Sequence, residues 1–110
     1  MNEALRKKYI PMTETIYYTL LSVMSPRHGY AIIQYVNGLT RGRILLGTGT
    51  LYTMVGRLAA DNMIVTVPNE GKKAYQITET GKRLLEMETV RLGKQLKDGE
   101  QILRMGAEDA

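Results

Sequence analysis

Few side chains in this sequence could carry out covalent chemistry, and none of them has the neighbours such chemistry needs. His28 is the only histidine, the chain has no cysteine, and no carboxylate lies within thirteen residues of His28 in sequence. General acid–base work or metal binding at an imidazole calls for converging carboxylates, thiolates or a second imidazole. The missing cysteines also remove a disulfide framework, a thiolate nucleophile and Cys-based zinc or iron sites. No glycine-rich phosphate loop with a following Lys and Ser or Thr occurs. An enzyme is therefore not expected, nor is a metal or other cofactor. The His28-Gly29-Tyr30 sequence reads as turn geometry, with Gly29 supplying backbone freedom and Tyr30 packing inward.

Hydroxyls and cations are better placed. Thr50, Thr53 and Arg57 are three and four residues apart, which on a helix puts them on one face. All three can donate hydrogen bonds to base edges or phosphates, so this face suits a polyanion. An ordinary solvated face would have the same composition. Gly49 beside them would let a helix backbone come close to its ligand, and Tyr52 could pack inward while aiming its hydroxyl at a phosphate. Lys72 and Lys73, together with Arg41 and Arg43 ahead of the threonines, are further phosphate candidates. Arg6, Lys7 and Lys8 form either a basic arm or a frayed terminus.

The charge distribution points the same way. A formal net charge of +4 is mild, but between Glu14 and Asp61 there is no acidic residue, while Arg27, Arg41, Arg43 and Arg57 fall inside that stretch. The N-terminal two thirds should carry a positive field of the kind that attracts phosphate backbones or anionic membranes. No segment approaches the roughly 18 apolar residues of a membrane-spanning helix, so no membrane role and a cytoplasmic location are expected.

The elements that must position these side chains can be read from periodicity. A chain of 110 residues allows one compact domain, with a core of Leu, Ile, Val, Met and tyrosine because Phe and Trp are absent. Thr13 is an N-cap for a helix whose Ile16, Tyr17, Leu20, Leu21 and Met24 share a face. Ser25 to Gly29 breaks it, and Ile32, Ile33, Val36 and Leu39 mark a second helix. Ile44-Leu45-Leu46 suits a brief strand. A third helix follows, with Leu51, Tyr52, Val55, Leu58 and Ala59 as its apolar stripe and Gly49, Thr50, Thr53, Met54 and Arg57 on the other side. Ile64 to Pro68 reads as a strand, Asn69-Glu70-Gly71 as a turn, and Lys72 onward as a return strand in which Tyr75 and Ile77 alternate with Ala74 and Gln76. Thr78 caps a last helix that runs to about Met105. Its Leu85, Leu92, Leu96 and Leu103 are seven, four and seven residues apart, a coiled-coil-like seam with Thr89 and Gly99 at the remaining seam positions. Met12, Met24, Met54, Met63, Met87 and Met105 read as adaptable core filler, some of which could line a small-molecule pocket between subunits.

This order gives a mainly α fold with a small β-hairpin, namely a winged helix-turn-helix followed by a C-terminal dimerisation helix. Residues 1–78 would form the DNA-binding part with an N-terminal basic arm, and residues 79–110 an association helix and short tail in one compact unit. In helix-turn-helix proteins the helix after the turn enters the major groove while basic residues elsewhere hold phosphates. A winged helix can also serve as a protein–protein interaction module that binds no operator, and that alternative stays open.

The sequence also resembles the PadR-like transcriptional regulators. The resemblance rests on His28-Gly29-Tyr30-Ala31-Ile32, on Gly49-Thr50-Leu51-Tyr52 followed by Arg57-Leu58, and on Lys73-Ala74-Tyr75-Gln76-Ile77-Thr78-Glu79-Thr80-Gly81. It covers roughly residues 12 to 86. Gly47-Thr48 departs from it, since many members carry Ser-Pro before Gly-Thr-Leu-Tyr, and this leaves the start of the recognition helix undefined. The resemblance implies a cytoplasmic homodimer that binds double-stranded operator DNA, commonly as a repressor, with the C-terminal helix at the dimer interface. Release by a small-molecule effector would be consistent with the family, and no effector is identified by the sequence.

Overall fold

The computed structural model describes residues 3–106. The short tail expected after the last helix lies outside the described residues from 107 onward. The elements run α1 (Glu3–Tyr9), α2 (Glu14–Ser22), α3 (Gly29–Leu39), α4 (Thr48–Ala60), β1 (Ile64–Asn69), β2 (Lys72–Ile77) and α5 (Glu79–Met105).

Local chemistry accounts for most boundaries. Thr13 accepts a hydrogen bond from the Ile16 amide and so caps α2, and Thr78 does the same for α5 through the Gly81 amide. Glu14 and Glu79 stand in the first turns of these helices, where the helix dipole favours a negative charge. The β1–β2 hairpin is antiparallel, with Ile64 opposite Ile77 and Asn69 opposite Lys72. Glu70 and Gly71, at φ 55 and 75, form its two-residue turn. Two successive positive φ values define the turn whose twist matches that of antiparallel strands.

The brief strand expected at Ile44-Leu45-Leu46 is not formed. The Thr40 hydroxyl folds this stretch back, accepting from the Ile44 amide at 3.1 Å, and Leu46 is buried as a packing residue while Leu45 points into solvent. The third strand-like partner is Arg27 instead. Its amide donates to the Tyr75 carbonyl at 3.0 Å, and its carbonyl accepts from the Tyr75 amide at 2.8 Å. With Arg27 bridged to it on the far edge, β2 is central, and Ala74 and Tyr75 are both buried where strict alternation was expected.

The core joins Leu20 and Val23 of the α2 end, Ile32 and Val36 of α3, Leu51 and Leu58 of α4, then Met63 and Leu84. Three sequence expectations about facing are corrected. Tyr30 is 66% exposed, because it lies on the outer face of α3 while Ile32, Ile33 and Val36 take the inner one. On α4, Met54 is buried and Tyr52 is exposed, the reverse of the expected assignment. The helix turns 100° per residue, so Met54 shares the face of Leu51 and Leu58. Among the methionines, Met54 and Met63 fill the core, whereas Met24 and Met105 are exposed.

At the N-terminus, Arg6, Lys7 and Lys8 belong to neither a loose arm nor a frayed end. They lie in α1, which the buried Tyr9 anchors to the body. At the other end, α5 packs on α2 and β2 through Leu84 and Leu85, after which every residue from Gly93 to Met105 is exposed. The seam is therefore divided. Leu85 lies in the chain's own core, while Leu96 is 61% and Leu103 85% exposed, with Leu92 between these extremes.

Candidate nucleic-acid interface

The outward face of α4 is built by elimination: Leu51, Met54, Val55 and Leu58 turn inward, leaving Thr50, Thr53 and Arg57 in solvent. The helix begins at Thr48, after Gly47 as N-cap. Gly47 offers no side-chain acceptor, so the first-turn amides keep their donors without a cap. Gly49 has open space where a side chain would stand, so no crowded contact requires a glycine there.

Thr50, Thr53, Met54 and Arg57 line a groove of about 600 Å³ together with Thr13, Thr15 and Ile16 from the start of α2. From the sequence Thr13 reads as a cap alone, and Thr15 is not singled out. Their only signal was the N-cap pattern, which explains Thr13 locally and says nothing about what its helix faces. Tyr52 lies over the start of α3: a β-carbon at Gly29 would collide with its hydroxyl. Gly29 therefore serves close approach rather than an unusual φ, and the Tyr52 ring is half exposed beside the α3 N-terminus.

Arg57 has a specific neighbourhood. Its guanidinium carbon is 6.0 Å from the centroid of the Tyr9 ring. The Tyr9 hydroxyl donates to Asp61 Oδ2 at 2.5 Å, and Lys8 Nζ pairs with the same oxygen at 2.7 Å. Burial, reinforced by the bond to Asp61, pushes the Tyr9 phenol up to about 12, so it stays a donor throughout the physiological range. The bonds from Lys8 and then Tyr9 hold the Asp61 carboxyl below its ordinary value.

The wing places Lys72 and Lys73 on the strand leaving its tip, both exposed. His28 ties the wing to the helical body, its Nδ1 lying 3.0 Å from the Lys73 carbonyl. Since a carbonyl only accepts, that ring nitrogen carries the proton. The remaining cations differ from one another. Arg41 sits at φ 54 in the turn after α3 and is exposed. Arg43 pairs with Glu14 at 2.6 Å and with the Tyr18 hydroxyl at 2.7 Å. Arg27 is structural, with Nε donating to the Ser22 carbonyl at 2.6 Å and its guanidinium 4.0 Å from the Tyr35 ring centroid. Thus Thr50, Thr53 and Arg57 converge on one face, Lys72 and Lys73 stand on the wing, and Arg43 is engaged elsewhere.

Away from this face, Glu88 is 1% exposed. It receives Arg91 Nε at 2.6 Å and the Met12 amide at 3.1 Å. Its position four residues after Leu84, on the buried side of α5, is the signal that sequence reading passed over. Among the described residues no group of His, Cys, Asp or Glu side chains gathers where a metal ion could be held, and no helix is long and apolar enough to cross a membrane.

Helices α2 to α4 with the β1–β2 hairpin define a winged-helix protein. The Transcriptional regulator PadR-like family matches residues 18–87, and the chain belongs to that family of non-enzymatic regulators. The chain is similar to a PadR family transcriptional regulator from Eggerthella lenta, at 20% identity over 94% of this chain and 88% of that one, with a TM-score of 0.68. A PadR family transcription regulator from Clostridium difficile aligns at 26% identity over 80% of this chain and 97% of that one, with a TM-score of 0.65. A transcriptional regulator from Clostridium thermocellum shares the fold at 17% identity, covering 93% of this chain and 97% of that one, with a TM-score of 0.66. Comparison with curated protein sequences gives no match.

Proposed function

We propose that the chain is a cytoplasmic homodimeric repressor that binds a pseudo-palindromic operator in double-stranded DNA. Residues 1–78 supply the DNA-binding part and residues 79–110 the association helix. The observation that carries this reading is the exposed, carboxylate-free face of α4, where Thr50, Thr53 and Arg57 stand together and the wing lysines Lys72 and Lys73 complete a basic surface. Small and hydroxylated side chains at the start of α4 let it lie deep in the major groove, Thr50 and Thr53 donate to base edges, and Arg57, Lys72 and Lys73 take phosphates. Gly49 and Tyr52 shape the approach, while Arg41 and Arg43 meet the flanking backbone, Arg43 by exchanging Glu14 for a phosphate.

Pairing of two copies is supported by α5, whose Leu96 and Leu103 are largely exposed among the described residues. Leu92 continues the interface toward the body, where Leu85 is already taken up by the chain's own core. An apolar recess of about 410 Å³ lined by Leu21, Met24, Leu85 and Val90 is of a size to take a small effector.

Selection of bound sequences from random duplex DNA, followed by fluorescence anisotropy, tests the reading. The expected result is a two-fold consensus and an affinity that falls steeply with salt. Replacing Lys72 and Lys73 with Ala should flatten the salt slope of the dimer by about four, one per lysine in each of the two protomers, without changing the consensus. Thr50→Ala should change the preferred sequence and leave the slope near that of the parent. Binding with no sequence preference at moderate salt, together with capture of a protein partner through Arg57, would replace operator recognition with protein docking.

A further inference from the structure

We infer that Tyr9 is a positioning residue for Arg57: with Lys8 it occupies the Asp61 carboxylate, so that the Arg57 guanidinium is left to the DNA. The inference rests on the reading of Arg57 as a phosphate contact. Arg57 and Asp61 are four residues apart at the C-terminal end of α4, and side chains so spaced lie on one helix face within reach of each other. Left alone, they would form an intrahelical ion pair, and the recognition face would lose its cation. Asp61 is also the only acid between Glu14 and Glu70, so a bare carboxylate there would set a negative charge beside the phosphates.

The structure shows a different pairing. Asp61 Oδ2 takes both the Tyr9 hydroxyl and Lys8 Nζ, two groups delivered by α1. The Tyr9 side chain is 2% exposed and cannot swing away. Its ring is also the surface next to which the Arg57 guanidinium lies. One buried tyrosine thus holds the acid with its hydroxyl and lies against the base, whose charge is felt by both the phenol and the Asp61 carboxyl. This gives α1 a purpose that its own few contacts would not suggest, and it explains why Lys8 lies on the ordered side of a helix rather than in a free arm.

Salt titrations of operator binding by the full chain separate positioning from mere stability, because the slope counts phosphate contacts while folding does not enter it. Arg57→Ala sets the reference and should lower the slope of the dimer by about two, one per protomer. Tyr9→Phe keeps the ring and removes the hydroxyl, and Lys8→Met removes the cation at an exposed site that folding tolerates. The two combined should lower the slope as far as Arg57→Ala does. Adding Asp61→Asn to that pair should restore the slope, whereas Asp61→Asn alone should leave it unchanged. A slope that stays at the parent value in the Tyr9→Phe, Lys8→Met protein while Arg57→Ala lowers it overturns the inference alone. So does a lowered slope that Asp61→Asn fails to restore. An unchanged slope in Arg57→Ala itself overturns the phosphate contact and the inference with it.

Discussion

At the residue scale, two buried ionisable groups hold α1 and the α1–α2 junction to the body: Tyr9 on Asp61, and Glu88 on the Met12 amide and Arg91. The Arg91 guanidinium, followed by the Met12 amide, keeps the Glu88 carboxyl below the usual carboxylate range. A depressed carboxyl contributes stability above its unfolded value and loses it as the pH falls through the folded one. Glu88 should therefore help the fold at neutral pH and lose that contribution as the pH falls below the ordinary glutamate value and through its lowered one. Glu88→Gln should cost about 1.5–3 kcal/mol at pH 7, the range for a charged hydrogen bond, and should make urea midpoints less sensitive to acid. A variant whose midpoints fall with pH as steeply as the parent's would show that the acid limb belongs to other groups. Neither clamp was legible in the sequence. Each joins positions more than fifty residues apart, and periodicity reports only which face of its own helix a residue takes. The exposed face of α4 was more legible, because Thr50, Thr53 and Arg57 share one local element.

At the element scale, the sequence announced helices and hairpin through their ends. Thr13 and Thr78 are side-chain caps with an acid in the first turn, and such signals are local enough to be read without the fold. The brief strand at residues 44–46 failed for the opposite reason. A run of apolar residues becomes a strand only if a ladder is available, and Arg27 had already taken the free edge of β2. The hairpin turn gives a sharp prediction. Gly71 sits at φ 75, where a β-carbon costs about 1 kcal/mol or more, so Gly71→Ala should lower the melting temperature and weaken the wing's share of DNA binding. On α5 the sign reverses. Gly93 has open space around its α-carbon, and Gly93→Ala should stabilise the helix by about 1 kcal/mol, measured as a higher thermal midpoint.

At the scale of the whole molecule, the chain measures 60 × 33 × 21 Å, an elongation due to the outer part of α5. The leucine pattern foretold a helix in need of cover. It did not separate Leu85, which the chain buries itself, from Leu96 and Leu103, because a seven-residue repeat does not show where the body ends. Light scattering at micromolar concentration should give a dimeric mass. Leu96→Glu with Leu103→Glu should give a monomer that keeps its winged-helix spectrum. A parent protein that scatters as a monomer would remove α5 from the assembly. The exposed half of α5 also ties function to abundance. A regulator that binds its operator only as the proposed pair obeys mass action. Below the dimer dissociation constant, the active species grows as the square of the amount synthesised, so doubling expression should raise operator occupancy about fourfold while sites remain mostly vacant. In the proposed pairing, the length of helix left uncovered by its own body would set a threshold in cellular dose, below which the regulator is present and silent.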